Sequence, residues 1–270
     1  MKRFCLLALG FSSLLPFANA QDVPNKHVRF MTLGELHRWE ASGPSEHGII
    51  KQKEIPKGAQ PPSAVRYSTG GEVKPLRLPL REFSQYATLN GSDESLLLTN
   101  IDSDGGGEFL KSPVPTGTMN LGVLIPNPQT MNWTEPKILM LKDDARSFPV
   151  GEIRFVNASD RTVLVKIEGH PPFGVKAGAS SRKTLKDIGS FKGGKFVKPL
   201  DERTFMKVGF RDSKNVDHEL YSNNLNISKG TRIQCFFFKS KGEGSAKDVR
   251  FVLVPEEIPS VPRPPRRRSR

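Results

Sequence analysis

The sequence predicts an all-β protein of two tandem β-sandwich domains, Ig-like or related, with few or no helices. Three observations carry this expectation. Short runs of alternating apolar and polar residues recur along the chain. Proline and glycine, 22 and 24 of 270 residues, separate those runs. Helical periodicity is weak throughout, and many short strands between turn signals mean a sandwich or barrel. The clearest segment is 148–169, FPVGEIRFVNASDRTVLVKIEG. Ile153 and Phe155 alternate with Glu152 and Arg154, and Val163, Val165 and Ile167 share one face of a second run. Asn157, Ala158, Ser159 and Asp160 form a turn cluster between them, so the segment is expected to be a β-hairpin.

The N-terminus reads as a signal peptide, residues 1–20. Lys2 and Arg3 form a positive start, 4–17 is apolar but too short to span a bilayer, and Ala18-Asn19-Ala20 gives a small-x-small cleavage pattern. The mature chain is then expected to begin at Gln21 and to be exported, periplasmic or extracellular. No later stretch is apolar over membrane-spanning length, so no transmembrane segment is expected after cleavage. Cleavage leaves 250 of the 270 residues, enough for one or two domains. It also leaves one cysteine, Cys235, which excludes an internal disulfide. Within Ile233-Gln234-Cys235-Phe236-Phe237-Phe238, that cysteine reads as a small buried hydrophobe.

Without Lys2 and Arg3, 39 basic residues face 28 acidic ones, a net charge of +11. Five of the basic residues, Arg263, Arg266, Arg267, Arg268 and Arg270, lie in the last eight positions. The segment 257–270 is rich in Pro and Arg and is expected to be a disordered tail. Guanidinium groups bind phosphate and carboxylate bidentately, so anionic envelope polymers or lipid headgroups are its expected partners. Nucleic acid is not, because export argues against it and no aromatic residues interleave with the arginines.

The N-terminal domain is expected over 21–147. Candidate strands are 27–33, a short run within 49–55, 72–80 as an edge strand bearing Pro75 and Pro79, 95–99, 118–125 and 137–141. Residues 33–39 suit at most a turn of helix, ended by Gly43 and Pro44. Asp143 to Pro149 is a polar cluster and the expected boundary. The C-terminal domain, 148–256, continues with strands near 180–185, 204–210 and 218–221. A last hairpin joins 231–238 to 247–254. The strand 231–238 is apolar on both faces, which places it centrally or at a contact between domains. Lys239 and Lys241 flank it as aggregation gatekeepers. The expected core of this domain includes Ile153, Phe155, Val163, Val165, Phe210, Phe237 and Phe251.

The motif Phe148-Pro-Val-Gly151-Glu-Ile-Arg154-Phe155-Val-Asn157 resembles one in a family of secreted bacterial β-rich proteins with no assigned activity. Leu121-Gly-Val-Leu-Ile-Pro126-Asn-Pro128, with the strand reaching Asp144, is similar to the connector of that family. Tyr221-Ser222 and Thr231-Arg232 are similar to its later positions. The resemblance covers 118–254 and implies a two-part β architecture. It implies no catalytic residue.

Candidate sites are sparse. Asn100, Asp102, Asp104 and Glu108 resemble the start of a calcium loop, with oxygen ligands at alternate positions and a glycine turn. The twelfth position is Lys111 rather than a bidentate Glu, so the segment reads equally as an acidic hairpin turn. His27, His37 and His47 match no ligand spacing and read as solvated loop residues. Asp143 and Asp144 suit acid/base work or, more simply, a solvated linker. Ser180, Ser181 and Lys183 lack phosphate-loop spacing, and no nucleophile-elbow motif is present. Asn90, Asn132, Asn157 and Asn226 lie in Asn-x-Ser/Thr triplets, which matter only in a glycosylating host. No cofactor is expected. The expected function is that of an exported, non-catalytic binding or structural protein of the bacterial envelope or extracellular space. A hydrolase with a dispersed site is the alternative.

Overall fold

A computed structural model describes residues 23–36, 41–44, 50–52, 54–101, 107–184, 191–192, 195–196, 203–212, 216–226, 230–240 and 249–258. The chain is all-β, and no described residue is helical. The strands of the first part are β1 (Lys26–Thr32), β2 (Ala41–Pro44), β3 (Ile50–Gln52), β4 (Ala64–Thr69), β5 (Glu72–Arg77), β6 (Ala87–Leu89), β7 (Ser95–Asn100), β8 (Glu108–Pro113), β9 (Met119–Ile125) and β10 (Lys137–Lys142). Those of the second part are β11 (Glu152–Ala158), β12 (Val163–Ile167), β13 (Phe173–Val175), β14 (Ser180–Thr184), β15 (Phe191–Lys192), β16 (Lys195–Phe196), β17 (Arg203–Arg211), β18 (Asp217–Asn226), β19 (Thr231–Lys239) and β20 (Val249–Glu257).

Sixteen of these strands form four sheets of four, ordered β5-β4-β7-β8, β10-β9-β1-β6, β14-β11-β19-β20 and β13-β12-β17-β18; β2–β3 and β15–β16 are separate pairs. The first two sheets enclose one core, with Val28, Phe30, Val65, Leu98, Leu124 and Trp133 among its members. The last two enclose a second, with Ile153, Phe155, Val163, Phe210 and Phe237. A third apolar cluster lies between the two middle sheets: Met31, Leu33, Val123 and Ile125 pack against Val156, Ala158, Phe236 and Phe238. Both faces of β9 and of β19 are therefore covered, as their unbroken apolar runs require. All seven expected core residues lie in or against the second core.

The two halves repeat each other strand for strand. β1, β4, β5, β6, β7, β8, β9 and β10 correspond in order to β11, β12, β13, β14, β17, β18, β19 and β20. In each half the first strand pairs parallel with the seventh and antiparallel with the fourth. Each outer sheet carries a β-bulge at the matching place, after Leu98 and after Val208. The register equates Met31 with Val156, Val123 with Phe236 and Leu139 with Val252. All six face the seam between the halves, so the same surface of each half meets the other, as in a twofold dimer.

The structure corrects the opening expectation. β11 and β12 are not a hairpin: β11 pairs with β14 and β19, whereas β12 pairs with β13 and β17. The two strands face each other across the core, and the turn between them crosses from one sheet to the other. Asn157 holds that crossing. Its buried amide nitrogen donates to the carbonyls of Arg161 (2.7 Å) and Val175 (2.8 Å), and its oxygen accepts from the Ser159 hydroxyl (2.6 Å). The last hairpin, β19–β20, forms as expected, and β5 is an edge strand. Gly122 has a packing role: a Cβ there would lie 2.9 Å from the Phe30 ring and 2.8 Å from Ile138. Its equivalent in the second half, Cys235, is the buried apolar thiol that its neighbours suggest, pushed well above its usual pKa by burial.

Candidate functional site

Strand direction defines two ends of the molecule. β1, β9, β11 and β19 begin at one and finish at the other. At the starting end the halves are joined by a buried ionic cluster around Asp143. Arg29 donates to Asp143 Oδ2 through Nε (2.9 Å) and Nη2 (2.6 Å), and Arg232 Nη2 donates to Oδ1 (3.0 Å). Arg154 Nη1 reaches the same Oδ1 at 3.4 Å. Glu256 completes the network, accepting from Arg29 (2.6 Å), Arg232 (3.2 Å) and Gln234 (2.5 Å). The rings of Phe83 and Phe148 cover Arg29, Arg154 and Arg232.

The environment shifts each group in an identifiable way. Burial pushes the Asp143 carboxyl up, and the charges of Arg29 and Arg232 pull it back. Burial brings Arg154 down to about 10 and lifts the neighbouring Tyr86 phenol to about 12. Three guanidiniums against two carboxylates leave the cluster one positive charge in excess. Its chemistry is that of a clamp: every acidic oxygen is occupied by an arginine or an amide. This overturns the reading of Asp143 as solvated linker. Asp144 differs from it. Burial nudges its carboxyl up, but the backbone and hydroxyl donors of Ser147 and the backbone N–H of Arg146 outweigh that and hold it below the usual range. The two adjacent acids do not face a common site. His27 is also corrected, because it lies in β1, buried against Thr88 (3.1 Å), and burial lowers its pKa.

The other end carries the open surface. A cleft of about 620 Å³ opens there in the first half. Leu78, Phe109 and Trp133 form its buried floor, and exposed Leu36 stands among its walls with Pro61 and Pro62. Lys57, Gln60, Ser63, Arg77 and Thr134 bring polar groups to it. Among the described residues, Lys57 and Arg77 are its only charged lining residues, and neither forms an ion pair there.

Loops 126–134 and 56–60 hold each other in place. Trp133 N donates to Gly58 O (2.8 Å), and Asn132 Oδ1 accepts from Thr134 N (2.6 Å). Gly58, at φ +73°, makes a turn that other residues adopt only with strain. Two non-glycine residues among those described have left-handed backbone, and both adjoin this cleft. Met131 (φ 53°) is in the loop that carries Trp133, and Arg81 (φ 60°) follows the lining residue Leu80. Arg81 is held there by two bonds to Gly34 O, at 3.1 and 3.0 Å.

Of the sequence candidates, Arg263, Arg266, Arg267, Arg268 and Arg270 lie outside the described residues, as do Asp102, Asp104, His37 and His47. Asn100 and Glu108 close the antiparallel β7–β8 hairpin, where Asn100 N donates to Gly107 O (3.2 Å). Ser180, Ser181 and Lys183 are in β14. No group of three or more His, Cys, Asp or Glu among the described residues has the geometry of a metal site. Also among them, no helix is long and apolar enough to cross a membrane. No protein-family model matches the chain, and no curated protein matches it.

The cleft residues escape sequence reasoning because they come from loops far apart in the chain. The clamp left a trace: Val28-Arg29-Phe30 and Ile153-Arg154-Phe155 are the same strand written twice.

Proposed function

We propose that the chain is an exported, non-catalytic binding or structural protein of the bacterial envelope or extracellular space. Its halves act as tandem domains divided near residue 147, and its ligand sits in the cleft at the loop end. The observation that carries this reading is the location of strain. Left-handed non-glycine backbone costs free energy on the order of 1–3 kcal/mol per residue and persists where a site requires the shape. Met131 and Arg81 both hold that shape beside one cleft. A cleft of this volume is in the range of small-ligand sites. The clamp and the apolar seam fix the halves, so the loops are presented by a rigid scaffold. The arginine tail adds a second, electrostatic attachment to anionic polymers or headgroups.

The test is co-sedimentation of the mature protein with envelope fractions at low and high salt. Ser63 is an exposed cleft residue, and Ser63→Trp fills the cleft while keeping the backbone bond to Leu78. Loss of the salt-resistant component in Ser63→Trp, and of the salt-sensitive component on deleting 261–270, is the expected result. Unchanged sedimentation in both variants rejects the reading. Release of soluble fragments from the fraction by the wild type, absent in Ser63→Trp, shifts the assignment to the hydrolase.

A further inference from the structure

We propose that the clamp end of the molecule binds a phosphate group between Arg154 and Arg182. The site is independent of the cleft, which lies at the opposite end. Its basis is a pair of like charges. Arg154 of β11 stands directly opposite Arg182 of β14, on the seam side of the sheet. Like charges directly opposite each other on neighbouring strands are destabilising. Arg154 is almost fully buried, at 3% exposure, whereas Arg182 is exposed and opens the pair to solvent. In the first half the register places Tyr86 where Arg182 stands, 5.9 Å from Arg29, so the repeat makes this pair of guanidiniums once.

The counter-charge on this pair is weak. Arg154 reaches Asp143 at 3.4 Å and Arg182 reaches Glu152 at 3.5 Å, against 2.6 Å for each carboxylate contact of Arg29. Their other bonds go to carbonyls, from Arg154 Nη2 to Lys142 O (2.8 Å) and from Arg182 Nη1 to Ser147 O. Among the described residues, Arg154 Nε and both Nε and Nη2 of Arg182 donate to nothing. Four guanidiniums, those of Arg29, Arg154, Arg182 and Arg232, face three carboxylates, those of Asp143, Glu152 and Glu256. Burial and the charges of Arg232 and Arg182 together bring the Arg154 pKa down to about 10, against the pull of Asp143. The junction adds Lys142 and Arg146, both exposed and in no ion pair among the described residues.

Charge and donor geometry select the ligand. A phosphate group carries about two negative charges and three strong acceptor oxygens. Guanidinium forks bind it bidentately, so one phosphate between two forks replaces a repulsion with charge-assisted contacts to both. A carboxylate brings a single charge and two oxygens, too few to serve both arginines and the excess of the cluster. Asp144 does not compete for the arginines, because the Ser147 hydroxyl and the backbone N–H groups of Arg146 and Ser147 occupy its oxygens. The phosphate is either free or part of a lipid headgroup. Glu256 places the end of β20 in the clamp, so residues 259–270, with their five arginines, continue from this same end.

Isothermal titration of the full mature chain with inorganic phosphate, at constant ionic strength, tests the site. Arg182→Gln and Arg154→Met are compared with wild type and with the control Lys74→Gln, on the exposed β5 edge. Circular dichroism establishes that each variant is folded, and Arg182→Gln alters only an exposed side chain. Wild type and control are expected to bind phosphate, and each of the two variants to bind it more weakly by about tenfold or more. Acetate at the same ionic strength is expected not to compete. Vesicles of phosphatidylcholine with and without phosphatidic acid, floated with chains lacking 261–270, separate the two sources. Capture by phosphatidic acid that is lost in Arg182→Gln assigns a headgroup, and phosphate binding without capture assigns a free phosphate. Absence of both phosphate binding and capture, or binding that both variants retain, overturns the site. Equal binding of acetate overturns the phosphate assignment. None of these outcomes bears on the Ser63→Trp test of the cleft.

Discussion

Arg29 and Arg154 occupy the same position in the two halves of the chain, and both turn their guanidinium groups onto the one carboxylate of Asp143. The register that equates them also equates Asp143 with Glu256, each following or ending the last strand of its half. The cluster is thus built from the repeat itself, one arginine and one acid per half, with Arg232 added. Two identical sandwiches would present the same apolar face to each other. The clamp at one end of that face fixes which strand ends meet, and therefore brings both sets of loops to the opposite end.

The clamp predicts a large cost for Asp143→Asn. Three arginines lose the charge that justifies their burial, and breaking one partner of a buried ionic network costs about 3–5 kcal/mol. Equilibrium denaturation of the full chain measures it. A loss within the scatter of surface substitutions, about 0.5 kcal/mol, means that the carboxylate is not the hub.

Phe155→Ala tests the second core. Phe155 is fully buried, 5.4 Å from Phe173 edge-on and 6.4 Å from Phe237 in a stacked arrangement. Transfer and cavity terms together predict a loss of about 3–5 kcal/mol. Retention of the wild-type denaturation midpoint contradicts the packing.

Stability is expected to fall with acidity through His27. Burial holds its folded pKa below the usual 6.5. The unfolded chain therefore binds more protons in the interval between the two values. The contribution of His27 is complete above about pH 6.5 and is lost as pH falls toward the folded pKa. His27→Gln removes this component. The denaturation midpoints of wild type and variant, compared at neutral pH and near pH 5, are expected to differ more at neutral pH. A constant difference shows that His27 does not titrate between the states.

Strand positions were legible because alternation is a local property. The runs at β1, β9, β10, β11, β12, β17 and β19 are each visible in a few residues. Their partners were not. β11 and β12 are adjacent in sequence and look like a hairpin, yet β11 finds its neighbours at Ser180 and Ile233. Asp143 reads as a linker acid because its two closest partners, Arg29 and Arg232, are 114 and 89 residues away. Polarity in a junction signals solvent only when no opposite charge is brought to it by the fold. The doubly apolar β19 did betray the seam, because a strand without a polar face needs cover on both sides. The cleft left no local trace, since Leu36, Lys57, Arg77, Asn100 and Trp133 share a wall only once two sheets have closed.

The clamp's excess positive charge makes its arginines unequal. Arg29 bridges Asp143 and Glu256 at 2.6 Å each, and those acids hold its pKa above the ordinary value against the pull of burial. Arg154 has one carboxylate contact, at 3.4 Å, and burial brings it down to about 10. Its remaining attachments are a bond to the Lys142 carbonyl (2.8 Å) and the Phe148 ring at 4.0 Å. A methionine keeps the ring contact and removes the unbalanced charge, and replacing buried ionic groups with apolar ones of similar size is often neutral or stabilising. Arg29→Met instead strips two carboxylates of their principal partner. The expected order is a loss of about 3 kcal/mol or more for Arg29→Met and at most about 1 kcal/mol for Arg154→Met. Chemical denaturation of both single variants and the double decides it. Equal costs would mean that charge balance does not govern the cluster, and that each arginine serves only through its hydrogen bonds.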